Sequence, residues 1–134
     1  MKVNVLIMTH GRLGEVLLET AADVTGRREG LSAKEVDRQR GIEAIRREIR
    51  AFKKDMPEDS NLLILTDMPG GTPFNICVNF AVEENVELIS GVNFPMLLSV
   101  IHAKDRAGSL AELARVAVKA GKDGIFNCSE RLTK

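Results

Sequence analysis

Apolar residues along the chain alternate between short runs rich in β-branched side chains and longer stretches with helical spacing. That pattern predicts a parallel sheet flanked by helices. Lys2 to Met8 reads as the first strand, and Leu13, Val16, Leu17, Thr20, Ala21 and Val24 fall on one face of a helix from Leu13 to Val24 that Gly26 ends. Gly30 to Val36 has only Leu31, Ala33 and Val36 to bury, which suits a weak second strand at a sheet edge. Ile42, Ile45, Ile49, Phe52 and Met56 mark an amphipathic helix over Gly41 to Asp55, closed by Pro57. The continuous apolar run Leu62 to Leu65 predicts a central strand covered on both faces. A third helix is expected from Thr72, as N-cap, and Pro73, as first helical residue, through Phe74, Cys77, Val78 and Ala81. Val86 to Ser90 reads as a fourth strand ended by Gly91, Ser109 to Lys119 as a last helix capped near Gly121, and Ile125 to Cys128 as a short terminal strand.

The 134 residues form one expected domain, 1–134, large enough to bury a core without disulfides or metals. Nineteen basic side chains balance nineteen acidic ones, so no overall field points to nucleic acid or anionic lipid. The basic residues Arg38, Arg40, Arg46, Arg47, Arg50, Lys53 and Lys54 are interleaved with Glu43, Glu48 and Asp55, and no Trp or Tyr is present to stack bases; a solvated helix face is expected. The start of the chain is too short in apolar residues for a signal peptide, and nothing approaches the roughly 18 needed for a membrane span. A cytoplasmic protein without membrane insertion is the expectation. Cys77 and Cys128 stand alone, with neither a CxxC spacing nor a nearby His, and read as buried reduced thiols; no metal site or cofactor is expected.

Candidate chemistry gathers where strands end. Met8-Thr9-His10-Gly11 follows the first strand, and Asp67-Met68-Pro69-Gly70-Gly71-Thr72-Pro73-Phe74-Asn75 follows the central one. If these strands are parallel neighbours, His10 and Asp67 meet at one sheet edge, where open α/β sheets bind ligands. A neutral imidazole is a competent nucleophile, and an aspartate accepting from Nδ1 would leave Nε2 free to attack phosphorus. The amides of a helix start attract phosphate oxygens, and Gly70 and Gly71 give the backbone access to an anion, with the Thr72 hydroxyl as a further donor. Taken alone, the glycine motif reads equally well as an ordinary turn into a Thr-Pro helix start. His102 has no comparable setting and is expected on a helix surface.

These residues, together with Gly91-Val92-Asn93-Phe94-Pro95-Met96-Leu97-Leu98, resemble the IIA component of the mannose-type sugar phosphotransferase system over nearly the whole chain. The resemblance implies a three-layer α/β sandwich whose mainly parallel sheet has four strands in the order 2-1-3-4. It also implies a homodimer, in some members completed by an exchanged C-terminal strand; Ile125 to Cys128 is the candidate, as an antiparallel fifth strand. In that family the histidine matching His10 accepts phosphate from phospho-HPr and passes it to a IIB component, and the aspartate matching Asp67 holds the histidine. Three departures stand out: Thr72 where serine is usual, Met68-Pro69 for a leucine or aromatic pair, and Gly14 where alanine is frequent.

The expectation is therefore a phosphocarrier with His10 and Asp67 as catalytic residues, and with Gly70, Gly71, Thr72 and Phe74 around the phosphoryl group. Phospho-HPr is the expected donor and a IIB component on a separate polypeptide the acceptor. A regulatory phosphocarrier uncoupled from sugar uptake is a rival within the same chemistry, as is the phosphoryl donor subunit of dihydroxyacetone kinase. A non-catalytic flavodoxin-like binding module is a rival from another class, opposed by the lack of Trp or Tyr to stack on a flavin.

Overall fold

The computed structural model describes residues 1–132, without the side chain of Arg38. Its centre is a parallel sheet of β1 (Val3–His10), β2 (Leu31–Val36), β3 (Asn61–Thr66) and β4 (Val86–Ser90), in the order β2-β1-β3-β4. The order matches the expected one, with the weak β2 at an edge. Helices α1 (Leu13–Thr25), α4 (Phe94–Ala103) and α5 (Leu110–Asp123) cover one face. The other face carries α2 (Ile42–Asp55), α3 (Thr72–Cys77) and the 3-10 segment Val78–Val82.

The period of two along each strand divides the core. Val3, Val5 and Ile7 of β1 and Leu63 and Leu65 of β3 pack with Leu18, Ala21, Leu97, Ile101, Leu113 and Ala117. Their neighbours Leu6, Met8, Leu62 and Ile64 point the other way, onto Ile45, Ile49, Ile76 and Phe80. Burial on both faces is why β1 and β3 read as unbroken apolar runs. Arg40, Arg46 and Lys53, from the basic stretch around α2, each meet a carboxylate, on Glu48, Glu43 and Glu83 respectively.

Four details depart from the sequence expectation. The buried line of α1 is Gly14, Leu18 and Ala21, while Leu13, Val16 and Val24 are exposed. Gly14 is the reason: a Cβ there would stand 2.9 Å from Ile7 Cγ2 and 3.1 Å from Thr9 Oγ1, so the helix approaches β1 along its glycine rather than its larger side chains. α3 begins at Thr72 itself, with Gly71 as N-cap, so Thr72 does not cap the helix. Ile125 to Phe126 lie outside any strand, Asn127 accepts from the Ser129 amide at 2.9 Å, and the helical turn α6 (Cys128–Arg131) follows. The expected fifth strand is thus replaced, among the described residues, by an irregular segment and a capped turn. Finally, Cys77 is buried as expected but Cys128 is exposed, because α6 packs no buried residue.

Candidate functional site

β1 and β3 are hydrogen-bonded neighbours in register up to the pair Met8 and Thr66. β1 continues to His10, whereas the chain leaves β3 at Asp67. In the observed strand order the chain moves from β1 outward to β2, then crosses back to β3 and on to β4, so the order reverses between the two strands that end in His10 and Asp67. Such switch points leave a crevice at the carboxyl ends of the strands, between helices on opposite faces.

The two side chains meet there. Asp67 Oδ2 accepts from the His10 backbone amide at 3.0 Å and lies 2.7 Å from His10 Nδ1, while Oδ1 accepts from the Met68 amide at 3.1 Å. An ionised carboxylate only accepts, so in the neutral ring the short contact places the single proton on Nδ1 and leaves Nε2 with its lone pair. Burial works against the charge of Asp67, but the hydrogen bonds from the His10 ring, the His10 amide and its own backbone outweigh it and hold the carboxyl below its ordinary value of 3.8. The Asp67 side chain is 11% exposed and that of His10 is 41%, so the pair joins a sheltered carboxylate to an open imidazole.

The glycine turn forms the adjoining wall. Gly70 adopts a left-handed φ of 76°, open to residues without a Cβ. Its carbonyl accepts from Asn75 Nδ2 at 3.3 Å, and the Gly71 carbonyl accepts from the Asn75 amide at 2.9 Å, which pins the turn to the first turn of α3. No side chain caps α3, and Pro73 has no amide, so the NH groups of Thr72 and Phe74 are left without an intrahelical partner. The Thr72 hydroxyl, released from a capping duty, is likewise available. Nε2 of His10 lies on this side: an atom placed at the Cβ position of Gly71 would be 3.5 Å from it. The structure thus brings together His10, Asp67, Gly70 and Gly71, with Thr72 and Phe74 following directly in α3.

Other residues of the sequence motifs serve the scaffold. The buried Thr9 hydroxyl accepts from the Gly14 amide at 2.7 Å and so caps α1, whose N-cap residue Arg12 makes no side-chain capping bond. Nothing at that spacing in the sequence distinguishes this role. Asn93 accepts from the Met96 amide at 3.0 Å and donates from Nδ2 to the Gly121 carbonyl at 3.0 Å, fastening α4 to α5. Asn93 of the Gly91 to Met96 motif thus serves the packing of α4 on α5. His102 is exposed in the last turn of α4, as expected of a helix-surface residue.

The family model EIIA-man, described as PTS system fructose IIA component, matches residues 4–117. The chain belongs to this family. This EIIA-man chain is 29% identical over 133 residues to a "PTS system fructose-specific EIIA component" of Bacillus subtilis, covering 98% of the chain and 90% of that relative. It is 32% identical over 126 residues to a "PTS system mannose-specific EIIAB component" of Escherichia coli, covering 93% of the chain but 39% of that longer protein. Among solved structures, the EIIA component of Streptococcus agalactiae superposes with a TM-score of 0.86 at 21% identity, covering 96% of this chain and 98% of that one. The mannose/sorbose-specific IIA subunit of Enterococcus faecalis gives 0.85 at 21% identity, covering 100% and 98%. At such identities these structures speak for the shared fold, and the family match speaks for a component of a sugar phosphotransferase system. Among the described residues no helix is long and apolar enough to cross a membrane.

Proposed function

We propose that this EIIA-man chain is a phosphocarrier whose His10 accepts a phosphoryl group at Nε2 from phospho-HPr and passes it to a IIB component. The observation that carries the reading is the 2.7 Å contact between His10 Nδ1 and Asp67 Oδ2. In the neutral ring it fixes the tautomer in which Nε2 is unprotonated, so the incoming phosphorus meets a lone pair and no proton has to be removed first.

In the forward step the Nε2 lone pair forms a new N–P bond as the bond from phosphorus to the donor nitrogen breaks, and the donor ring keeps that electron pair. The His10 ring then carries Nδ1–H and N-phosphoryl together, a cationic ring that the Asp67 carboxylate neutralises. Onward transfer reverses these changes. The amides of Thr72 and Phe74, the Thr72 hydroxyl, and the close backbone approach that Gly70 and Gly71 permit are suited to hold the phosphoryl oxygens in both directions. Catalysis of this kind rests on positioning and on complementary charge, with little covalent chemistry asked of the protein.

The test is incubation with phosphoenolpyruvate, enzyme I and HPr, followed by intact-mass measurement. A gain of one phosphoryl group that is acid-labile and base-stable is expected. An unchanged mass with an active donor would refute the reading.

A further inference from the structure

Gly71 has an ordinary extended backbone, φ −79° and ψ 170°, that any residue adopts. Its lack of a side chain therefore answers to space and not to backbone conformation. A Cβ built on it would stand 2.8 Å from His10 Cε1, 3.5 Å from His10 Nε2 and 3.2 Å from Met68 Cγ. The first distance is one that carbon atoms do not tolerate, and at the third Met68 Cγ would have to give way by a few tenths of an ångström as well. The ring can clear such an atom only by drawing away from the carboxylate oxygen of Asp67, which holds Nδ1 at 2.7 Å and the His10 amide at 3.0 Å. Gly70 is different: it has φ 76° and nothing within 4 Å of its would-be Cβ, so its requirement is conformational.

We propose that Gly71 is a positioning residue for His10, its bare Cα forming the wall against which the imidazole edge rests while Asp67 holds the opposite side. This deepens the phosphocarrier reading and rests on it for its functional consequence, but the placement of the ring is a property of the unphosphorylated protein. With alanine at 71, the ring gives up part of its bond to Asp67 to clear the methyl. Its tautomer preference weakens, and the methyl stands beside the nitrogen that has to meet phosphorus.

The experiment compares Gly71→Ala and Gly70→Ala with the parent chain, using the nitrogen signals of 15N-labelled histidine in unphosphorylated protein, the phosphorylation rate with phospho-HPr, and the melting temperature. For Gly71→Ala we expect the His10 Nδ1 and Nε2 signals to move toward those of a mixture of tautomers. The rate should fall about tenfold, the consequence of losing roughly one hydrogen bond to a charged group. For Gly70→Ala we expect a lower melting temperature from the strained left-handed backbone, with the His10 signals in place. Parent-like ring signals in Gly71→Ala would overturn the proposal even if the rate fell, since Gly71 would then act on the phosphoryl group and not on the imidazole. Equal displacement of the ring signals in both variants would overturn it too, as a general distortion of the turn. If the parent chain itself took no phosphate, the phosphocarrier reading would fall while the ring signals still judged the wall.

Discussion

One carboxylate oxygen of Asp67 serves two groups of His10, the backbone amide at 3.0 Å and ring Nδ1 at 2.7 Å, while its other oxygen accepts from the Met68 amide at 3.1 Å. The aspartate therefore fixes the strand end and the ring that projects from it as one unit, and both carboxylate oxygens are engaged by donors. An asparagine side chain in its place would have to set its NH2 group against either the His10 amide or the Met68 amide, donor to donor. Asp67→Asn should still be phosphorylated, at a rate lower on the order of ten- to hundredfold, the worth of a charge-assisted hydrogen bond. The loss should be smaller than the roughly ten-thousandfold effect of the analogous change in a serine-protease triad, because His10 takes no proton from a second nucleophile. Single-turnover kinetics with phospho-HPr measure it, and a full-rate variant would remove Asp67 from the mechanism.

The pairing has a signature in acid. Despite the opposing effect of burial, the bonds from His10 hold the Asp67 carboxyl below its ordinary 3.8, so its folded value lies below that of the unfolded chain. The resulting stability is fully present above the unfolded value and is lost as the pH falls through the lower folded value. Asp67→Asn should flatten this acid limb of a stability-versus-pH curve from chemical denaturation. An acid limb identical to that of the parent chain would show that the carboxylate gains nothing from its partners in the fold.

Thr72 separates two roles that the sequence could not. A Thr72→Ala change at a true N-cap costs about 1 kcal/mol. Here Gly71 is the N-cap and no side chain bonds the first-turn amides, so the change should leave denaturant midpoints nearly unmoved while slowing phosphorylation, and Thr72→Ser should be silent in both. A destabilised Thr72→Ala protein with unaltered kinetics would reverse the assignment.

How much of this was legible follows from what each residue interacts with. The strand order came with the family resemblance of the motifs, and once β1 and β3 are neighbours the edge position of β2 and the meeting of His10 with Asp67 follow from apolar runs and residues at strand ends, which stand plainly in the sequence. The face of α1 did not, because a stripe of large apolar side chains was the visible signal, while Gly14, which makes no such signal, decides which side touches β1. Likewise Thr9 and Asn93 act through bonds to Gly14 and Gly121, partners brought close only by the finished fold. The segment after Gly124 has β-branched and aromatic residues, yet Asn127 bonds locally to the Ser129 amide and starts a turn instead.

Cysteine reactivity gives a simple check of that last region. Burial pushes the Cys77 thiol up to about 12, and the exposed Cys128 stands on a turn with no buried residue. Iodoacetamide at neutral pH should label one thiol of the folded protein rapidly, at Cys128, and both after unfolding; peptide mapping reads the site. Rapid labelling of Cys77 in the native state would contradict its burial at the end of α3, against Met8 of β1.

Ile125, Phe126 and Leu132 are 74%, 52% and 60% exposed, and Val118 of α5 is exposed as well. We expect these apolar residues to be covered by a second copy of the chain, giving a homodimer by light scattering at micromolar concentration. Removal of residues 125–134 should yield a monomer, and an undiminished dimer would exclude this segment from the interface.

The claim on which the account turns is that phosphorus bonds to Nε2 of His10 while Nδ1 keeps its proton for Asp67. The chain has two histidines, so 15N-labelled histidine in the phosphorylated protein resolves the site by nitrogen–phosphorus coupling, with assignment through His10→Ala. The account predicts coupling at His10 Nε2, a protonated Nδ1 and no phosphate in the variant; coupling at Nδ1, or on His102, would contradict it.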